Sequence, residues 1–275
     1  MIVERAPAKI NLALHVRLRR DDGYHEIETL FAFLQDGDDI RLDDGPASFA
    51  VEGPFAGALA GEGDNLVTRA ARAYAEAFAR PNEAALTLVK RLPVASGIGG
   101  GSADAAATLR ALAKRDGISV DDPRLFTIAD ALGSDVPACL LGRSALGRGR
   151  GELLEPVDGL TGMPVLLVNP GVAVSTAPVF AAWDGRDRGP IGEGSLLGRA
   201  LLGRNDLEAP ARRIAPAIGE ALALLLDGDG TRLVRMSGSG ATCFALYDRP
   251  EDCAAAARAI NTVRPGWWCL ESALA

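Results

Sequence analysis

The sequence predicts a mixed α and β protein, with sheets covered by helices and a division into two domains between residues 158 and 159. Three observations carry that expectation. The chain opens on strand-like segments, a later strand runs through a cluster of glycines into an alanine-rich helix, and a Gly/Arg-rich connection precedes a second alternation of helices and strands. With 275 residues there is material for one large domain or two ordinary ones.

The elements follow in order. "KINLALHVRL" sets Ile10, Leu12 and Leu14 on one face, and "DDGYHEIETLFAFL" follows a Gly-containing turn, so an antiparallel region is expected first. "NLVTRAARAYAEAFA", Asn65 to Ala79, has apolar residues at helical spacing, with Asp64 the candidate cap. "ALTLVKRL" reads as a strand entering the glycine loop. "SADAAATLRALAKRDG" then lines Ala105, Leu109, Leu112 and Ala113 along one stripe until Gly117 stops the helix. "LLGRSALGRGRGELLEPVDGLTG" is the expected connection between domains 1–158 and 159–275. Beyond it come a strand in "MPVLLVNPG", a helix in "APAIGEALALLLDGDG", a strand and turn in "RLVRMSGSGATCFALYD", a helix in "PEDCAAAARAI" and a strand in "GWWCLESA". Asp184 to Gly194, rich in Asp, Gly and Arg, is expected to be a mobile surface loop.

Composition removes several functional classes. Hydrophobic residues at 48% and charged ones at 24% suit a folded globular chain. A net charge of −7 opposes binding to long polyanions, so no nucleic-acid partner is expected. Glu4, Arg5, Lys9 and Asn11 interrupt the apolar residues near the N-terminus, and no run approaches the ~20 apolar residues of a membrane span. A cytoplasmic location without a membrane partner is the expectation. Cys139, Cys243, Cys253 and Cys269 form no CxxC pair, and His15 and His25 form no HExxH, so reduced thiols and no structural zinc are expected.

The chemistry is densest in "SGIGGGSADAA". Gly97, Gly99, Gly100 and Gly101 lack a Cβ, which permits positive φ and lets several backbone N–H groups approach one ligand. Ser102 adds a hydroxyl at the start of the helix, whose N-terminal partial charge also favours an anion. Neither a GxxxxGK[ST] loop nor GxGxxG is spelled, because none of the three lysines, Lys9, Lys90 and Lys114, follows a glycine and Ser102 stands where the last glycine would be needed. A plain connector is the competing interpretation. By themselves, "GSDVPACLLG" reads as Asp135 capping a helix with an early proline, and "MSGSGATCFAL" as a hairpin.

Taken together and in this order, "APAKINLAL", "LPVASGIGGGSADAA", "LGSDVPACL" and "RMSGSGATCFAL" resemble the signature segments of the GHMP small-molecule kinases, and the match runs from Ala6 almost to the C-terminus. The resemblance implies an α+β, two-domain GHMP kinase fold, with an N-terminal ribosomal-protein-like domain carrying the ATP loop and a C-terminal ferredoxin-like domain. "DGYHEIETLF", "VSTAPVFAAW" and "NDLE" resemble the branch that uses ATP and Mg2+ to phosphorylate the 2-hydroxyl of a cytidine diphosphate methylerythritol.

In that pattern Asp135 is the catalytic base and Lys9 its cationic neighbour. Pro93, Val94, Ala95, Ser96, Gly97, Ile98, Gly99, Gly100, Gly101, Ser102 and Ala103 hold the nucleotide, and Asn65 and Thr68 contact adenine. Asn11, Tyr24, His25, Thr176 and Phe180 bind the second substrate; Ser102 is a magnesium ligand, and Asp104 is either near that metal or a carboxylate favoured by the helix dipole. The partners implied are two small molecules, for a monomer or homodimer. Ala103 replaces a frequent serine, and Ile98 a frequent leucine. A GHMP kinase for another alcohol would lack "GYHEIETLF", a non-catalytic relative would lack the lysine and aspartate, and an RNA-binding module would want a basic aromatic face.

Overall fold

The computed structural model describes residues 1–59, 64–81 and 83–275. The chain packs as two compact units. The first comprises residues 1–9, 36–94 and 99–142; the second comprises residues 10–35, 95–98 and 143–275. Two long strands, β1 (Ile2–Arg19) and β2 (His25–Asp43), contribute to both. The expected 158/159 boundary falls inside the second unit.

In the first unit the later half of β2 pairs antiparallel with β4 (Ala85–Val89), and β4 pairs parallel with β3 (Ser48–Glu52). Helices α1 (Leu66–Ala77), α2 (Gly100–Arg115), α3 (Pro123–Leu132) and α4 (Val136–Leu141) pack on one another. Alanine makes that packing close: Ala103, Ala105, Ala106, Ala107, Ala111 and Ala113 of α2 are all buried. Tyr74 of α1 is buried against α2 and donates its hydroxyl to Asp116 at 3.0 Å, so burial and that carboxylate push its pKa up. The cap of α1 is Asn65, not Asp64. Its side chain accepts from Val67 N and Thr68 N, while the Thr68 hydroxyl answers the Asn65 N–H in a capping box. Asp64 instead pairs with Arg72 at 2.9 Å.

In the second unit the first half of β2 pairs with β5 (Ala145–Arg148), which turns back antiparallel onto β6 (Leu153–Pro156). The Gly/Arg-rich segment expected to connect domains is therefore this hairpin. Gly149 and Gly151 take positive φ between its strands, where a side chain would be strained. A separate antiparallel sheet runs in the order β10 (Trp268–Ala273), β7 (Pro164–Asn169), β9 (Cys243–Tyr247), β8 (Thr231–Met236). Helices α8 (Ala217–Leu226) and α9 (Pro250–Val263) pack on it, and α5 (Thr176–Ala181), α6 (Leu196–Leu202) and α7 (Glu208–Ile214) complete the unit. One core gathers Leu166, Val168, Ile218, Leu225, Ala245, Tyr247 and Ile260 from both sheet and helices. Each Leu, Val or Ile among them contributes about 1.5–3 kcal/mol when fully buried.

The Asp184–Gly194 segment is tethered, contrary to the mobile loop expected. Asp187 pairs with Arg17 at 2.8 Å, Ile191 N donates to Glu28 at 2.7 Å, and Ile191 is itself buried. Polar composition suggested solvent, but here the Asp187 charge finds Arg17 on β1 and the Ile191 N–H finds Glu28 on β2. No helix among the described residues is long and apolar enough to cross a membrane.

Candidate active site

Strand β1 carries Lys9 into the interior, where its side chain is 4% exposed. An ammonium in that position needs an anion. It finds Asp135, whose Oδ2 lies 2.8 Å from Lys9 Nζ and whose side chain keeps 33% of its surface accessible. Asp135 does occupy the position before α4, with Pro137 in the first turn, yet its side chain makes no capping bond. The carboxylate is turned to the lysine instead, leaving a partly exposed carboxylate beside a sheltered positive charge.

Gly99, Gly100 and Gly101, which open α2, lie next in the same unit. Helix α2 starts at Gly100, two residues before the expected Ser102, and its cap is Gly99 in the left-handed region at φ 66°. No side chain caps it, unlike α1, α3 and α6, which are capped by Asn65, Asp122 and Ser195. The first N–H groups of this 16-residue helix thus receive no bond from a capping side chain, and Ser102 stands half-buried in that first turn. Bareness toward a ligand is only part of why glycine is there. A Cβ on Gly99 would lie 2.5 Å from Lys9 Cγ, and one on Gly100 would lie 3.1 Å from Lys90 Nζ.

Beneath that turn is a buried ionic cluster. Lys90 Nζ donates to Asp38 Oδ2 at 2.6 Å and to Asp104 Oδ2 at 2.7 Å. Asp38 Oδ1 also accepts from the backbone N–H groups of Arg91 and Leu92, fixing the chain where it leaves β4. Burial works against the Lys90 charge, but the two carboxylates outweigh it and hold its pKa above the ordinary lysine value. Burial pushes the Asp104 carboxyl up, against the pull of Lys90. Asp104 is thus bonded to Lys90, whichever of its two expected roles is considered. Cys139, on α4, is a buried thiol pushed up to about 12 by burial and by Asp135, so it stays protonated.

In the second unit Gly97, at φ 78°, is enclosed by the Gly/Ser turn between β8 and β9. A Cβ there would lie 2.5 Å from Gly240 O, and Ser237 Oγ donates to Gly97 O at 3.0 Å. Ser96 O accepts from Thr242 N at 3.2 Å. "MSGSGATCFAL" is both a hairpin and the brace of these loop residues. Ala95 also has positive φ, at 53°, while Val94 is exposed and Ile98 fully buried. Pro93 precedes this bend and Ala103 is buried on α2.

The expected substrate residues are placed as follows. Asn11 is buried and donates to Thr29 Oγ1 at 2.8 Å. Thr176 starts α5 and shares a hydrogen bond with Ser239 at 3.0 Å. His25 and Phe180 come together, ring centroids 4.9 Å apart, with Trp183 edge-on to His25 at 5.8 Å. Tyr24 is 52% exposed, and the Arg150 guanidinium sits 5.0 Å from its ring centre. Burial, and then Arg19, lower the pKa of His25. Arg19 Nε donates to His25 Nε2 at 3.4 Å, so the neutral ring carries its proton on Nδ1.

Trp183 and Arg19 were missed at the sequence level, and so was the Lys90 cluster. Lys90 alone had a signal, as one of three lysines in an arginine-rich chain.

Comparisons with known proteins agree in family. The pattern of the GHMP kinases N terminal domain matches residues 65–143, and that of the GHMP kinases C terminal domain matches residues 186–265. The chain is 58% identical to a protein of Rhizorhabdus wittichii named 4-diphosphocytidyl-2-C-methyl-D-erythritol kinase, covering 98% of this chain and 94% of the relative. A Novosphingobium aromaticivorans protein of the same name is 50% identical, covering 98% and 92%. Among solved structures, a 4-(cytidine 5'-diphospho)-2C-methyl-D-erythritol kinase aligns with TM-score 0.82 and 37% identity over 99% of both chains. The L. major mevalonate kinase shares the fold, with TM-score 0.71 at 15% identity over 100% of this chain and 96% of that one.

Proposed function

The chain belongs to the GHMP kinase family, and on that premise we propose that it transfers the γ-phosphoryl group of ATP to the 2-hydroxyl of 4-diphosphocytidyl-2-C-methyl-D-erythritol, a step of the non-mevalonate route to isoprenoid precursors. The observation that carries the chemistry is the Lys9–Asp135 pair at 2.8 Å, sheltered on one side and half-exposed on the other. Full-length likeness to relatives named for that substrate supports its identity.

In this reading Asp135 accepts the hydroxyl proton as the substrate oxygen bonds to the γ-phosphorus. The bond from that phosphorus to the β–γ bridging oxygen breaks, and ADP leaves. Lys9, 2.8 Å from that carboxylate, holds it in place and offsets the charge that develops on the transferring group. The uncapped start of α2 and the loop from Pro93 to Ala103 take the phosphates, while Asn65 and Thr68, which form the capping box of α1, contact adenine. Tyr24 and Phe180 stack on the cytosine, His25 addresses its edge, and Asn11 and Thr176 orient the remainder. Residues 1–158 then form the ATP-binding domain, which also carries Asn11, Tyr24 and His25, and 159–275 form the second domain.

Magnesium fits this donor set through the nucleotide. Ser102, half-buried in the first turn of α2, would be its protein ligand beside the phosphates, as the family resemblance implies. Bound there, the ion would supply neutralisation of the phosphate charge.

An ADP-release assay with the cytidine substrate, mevalonate, homoserine and no acceptor tests the proposal. Turnover confined to the cytidine compound is expected. Equal or faster turnover with another alcohol would overturn the substrate assignment, and no turnover with any would overturn the activity.

A further inference from the structure

We propose that Gly99 is a positioning residue for Lys9: the space left by its missing Cβ is the seat of the lysine stem, and the glycine at this position serves the Lys9–Asp135 pair. A Cβ at position 99 would fall 2.5 Å from Lys9 Cγ, 2.8 Å from Cε and 3.3 Å from Cδ. Those distances cannot stand, so something must move. The stem has little room to do so, because Lys9 is buried and its Nζ is tied to Asp135 at 2.8 Å. The neighbouring positions differ. At Gly100 a Cβ would face Lys90 Nζ at 3.1 Å, and at Gly101 it would meet only Leu66 Cδ1 at an ordinary 3.4 Å.

Filling the seat would therefore move the ammonium relative to Asp135 while leaving the N–H groups that open α2 available. The kinetic half of this inference rests on the role proposed above for Lys9. The structural half does not.

The chain supplies a matched control. Gly142 has the same backbone conformation as Gly99, φ 66° and ψ 19°, but a Cβ there meets nothing closer than Cys139 O at 3.8 Å. Gly142→Ala carries the left-handed strain without the collision, so the difference between the two variants isolates the seat.

Lysine labelled with 13C and 15N gives three side-chain signals, from Lys9, Lys90 and Lys114. Lys114 is exposed and Lys90 is held by Asp38 and Asp104, which keeps the three environments distinct. In Gly99→Ala the Lys9 signal should shift and the other two stay. kcat should fall on the order of 10- to 100-fold with the KM for ATP held within about threefold, as expected for a misplaced reacting group. Gly142→Ala should do neither. If Gly99→Ala does not fold, Gly99→Asn carries the same Cβ on a residue that tolerates the left-handed region.

An unmoved Lys9 signal would overturn the inference, as would the same kcat loss in Gly142→Ala or a loss confined to the KM for ATP. Normal turnover of Lys9→Met would instead overturn the catalytic role of the lysine, while the NMR comparison would still decide the seat.

Discussion

His15 shows how a single buried side chain sets a pH dependence. Its Nδ1–H donates to Gly189 O at 3.0 Å and its Nε2 accepts from Arg204 N at 3.2 Å, an arrangement only the neutral ring can make. Burial, then the nearby Arg204, lower its pKa from 6.5, and burial lowers that of His25 as well. The unfolded chain therefore takes up these protons first as the pH falls. The stabilisation from the neutral rings is fully present above about 6.5 and is lost as the pH drops through the depressed folded values. Urea unfolding midpoints should thus fall between pH 7.5 and 5, and fall less in the double variant His15→Gln, His25→Gln; an equal slope in both would contradict the assignment. At the nucleobase, stacking contributes equally in ground and transition states. Tyr24→Ala should raise the KM for the cytidine substrate roughly 5- to 150-fold with kcat changed far less. His25→Ala should weaken discrimination against the uridine analogue. Steady-state kinetics in which both variants lose kcat alone would remove these residues from the pocket.

Among the elements, the strand–loop–helix unit from β4 to α2 was legible because its signals are local: an apolar run, glycines, then alanines at helical spacing. What sits beneath it was not. Lys90, Asp38 and Asp104 are separated by 52 and 14 residues, and only the fold brings them within hydrogen-bonding distance. The same holds for Asn65 over Asp64 as the cap, decided by one residue of backbone geometry, and for Asp184–Gly194, tied across the chain by Asp187 to Arg17 and by the Ile191 N–H to Glu28. Removing the ammonium from this cluster leaves two buried carboxylates. Lys90→Met should cost about 3–5 kcal/mol in urea unfolding. The triple variant Lys90→Met, Asp38→Asn, Asp104→Asn should recover much of that loss; equal stability of wild type and Lys90→Met would mean the cluster is not ionised as drawn.

For the whole molecule, the α+β class was readable from alternating elements, and the family from four short segments in order. The partition into units was hidden, since β1 and β2 each serve both and long-range strand pairing leaves no local mark. The site was legible to different depths: Lys9 and Asp135, 126 positions apart, could be joined only through the family pattern, and their ion pair is what the fold adds. The claim that this pair drives phosphoryl transfer to the cytidine compound is tested most directly by single-turnover transfer from γ-labelled ATP, comparing wild type with Asp135→Asn. The account predicts label in the cytidine product with the wild type, and transfer slower by on the order of 100- to 10,000-fold in the variant with ATP affinity little changed. Equal rates in the two proteins, or no labelled product from the wild type, would contradict it.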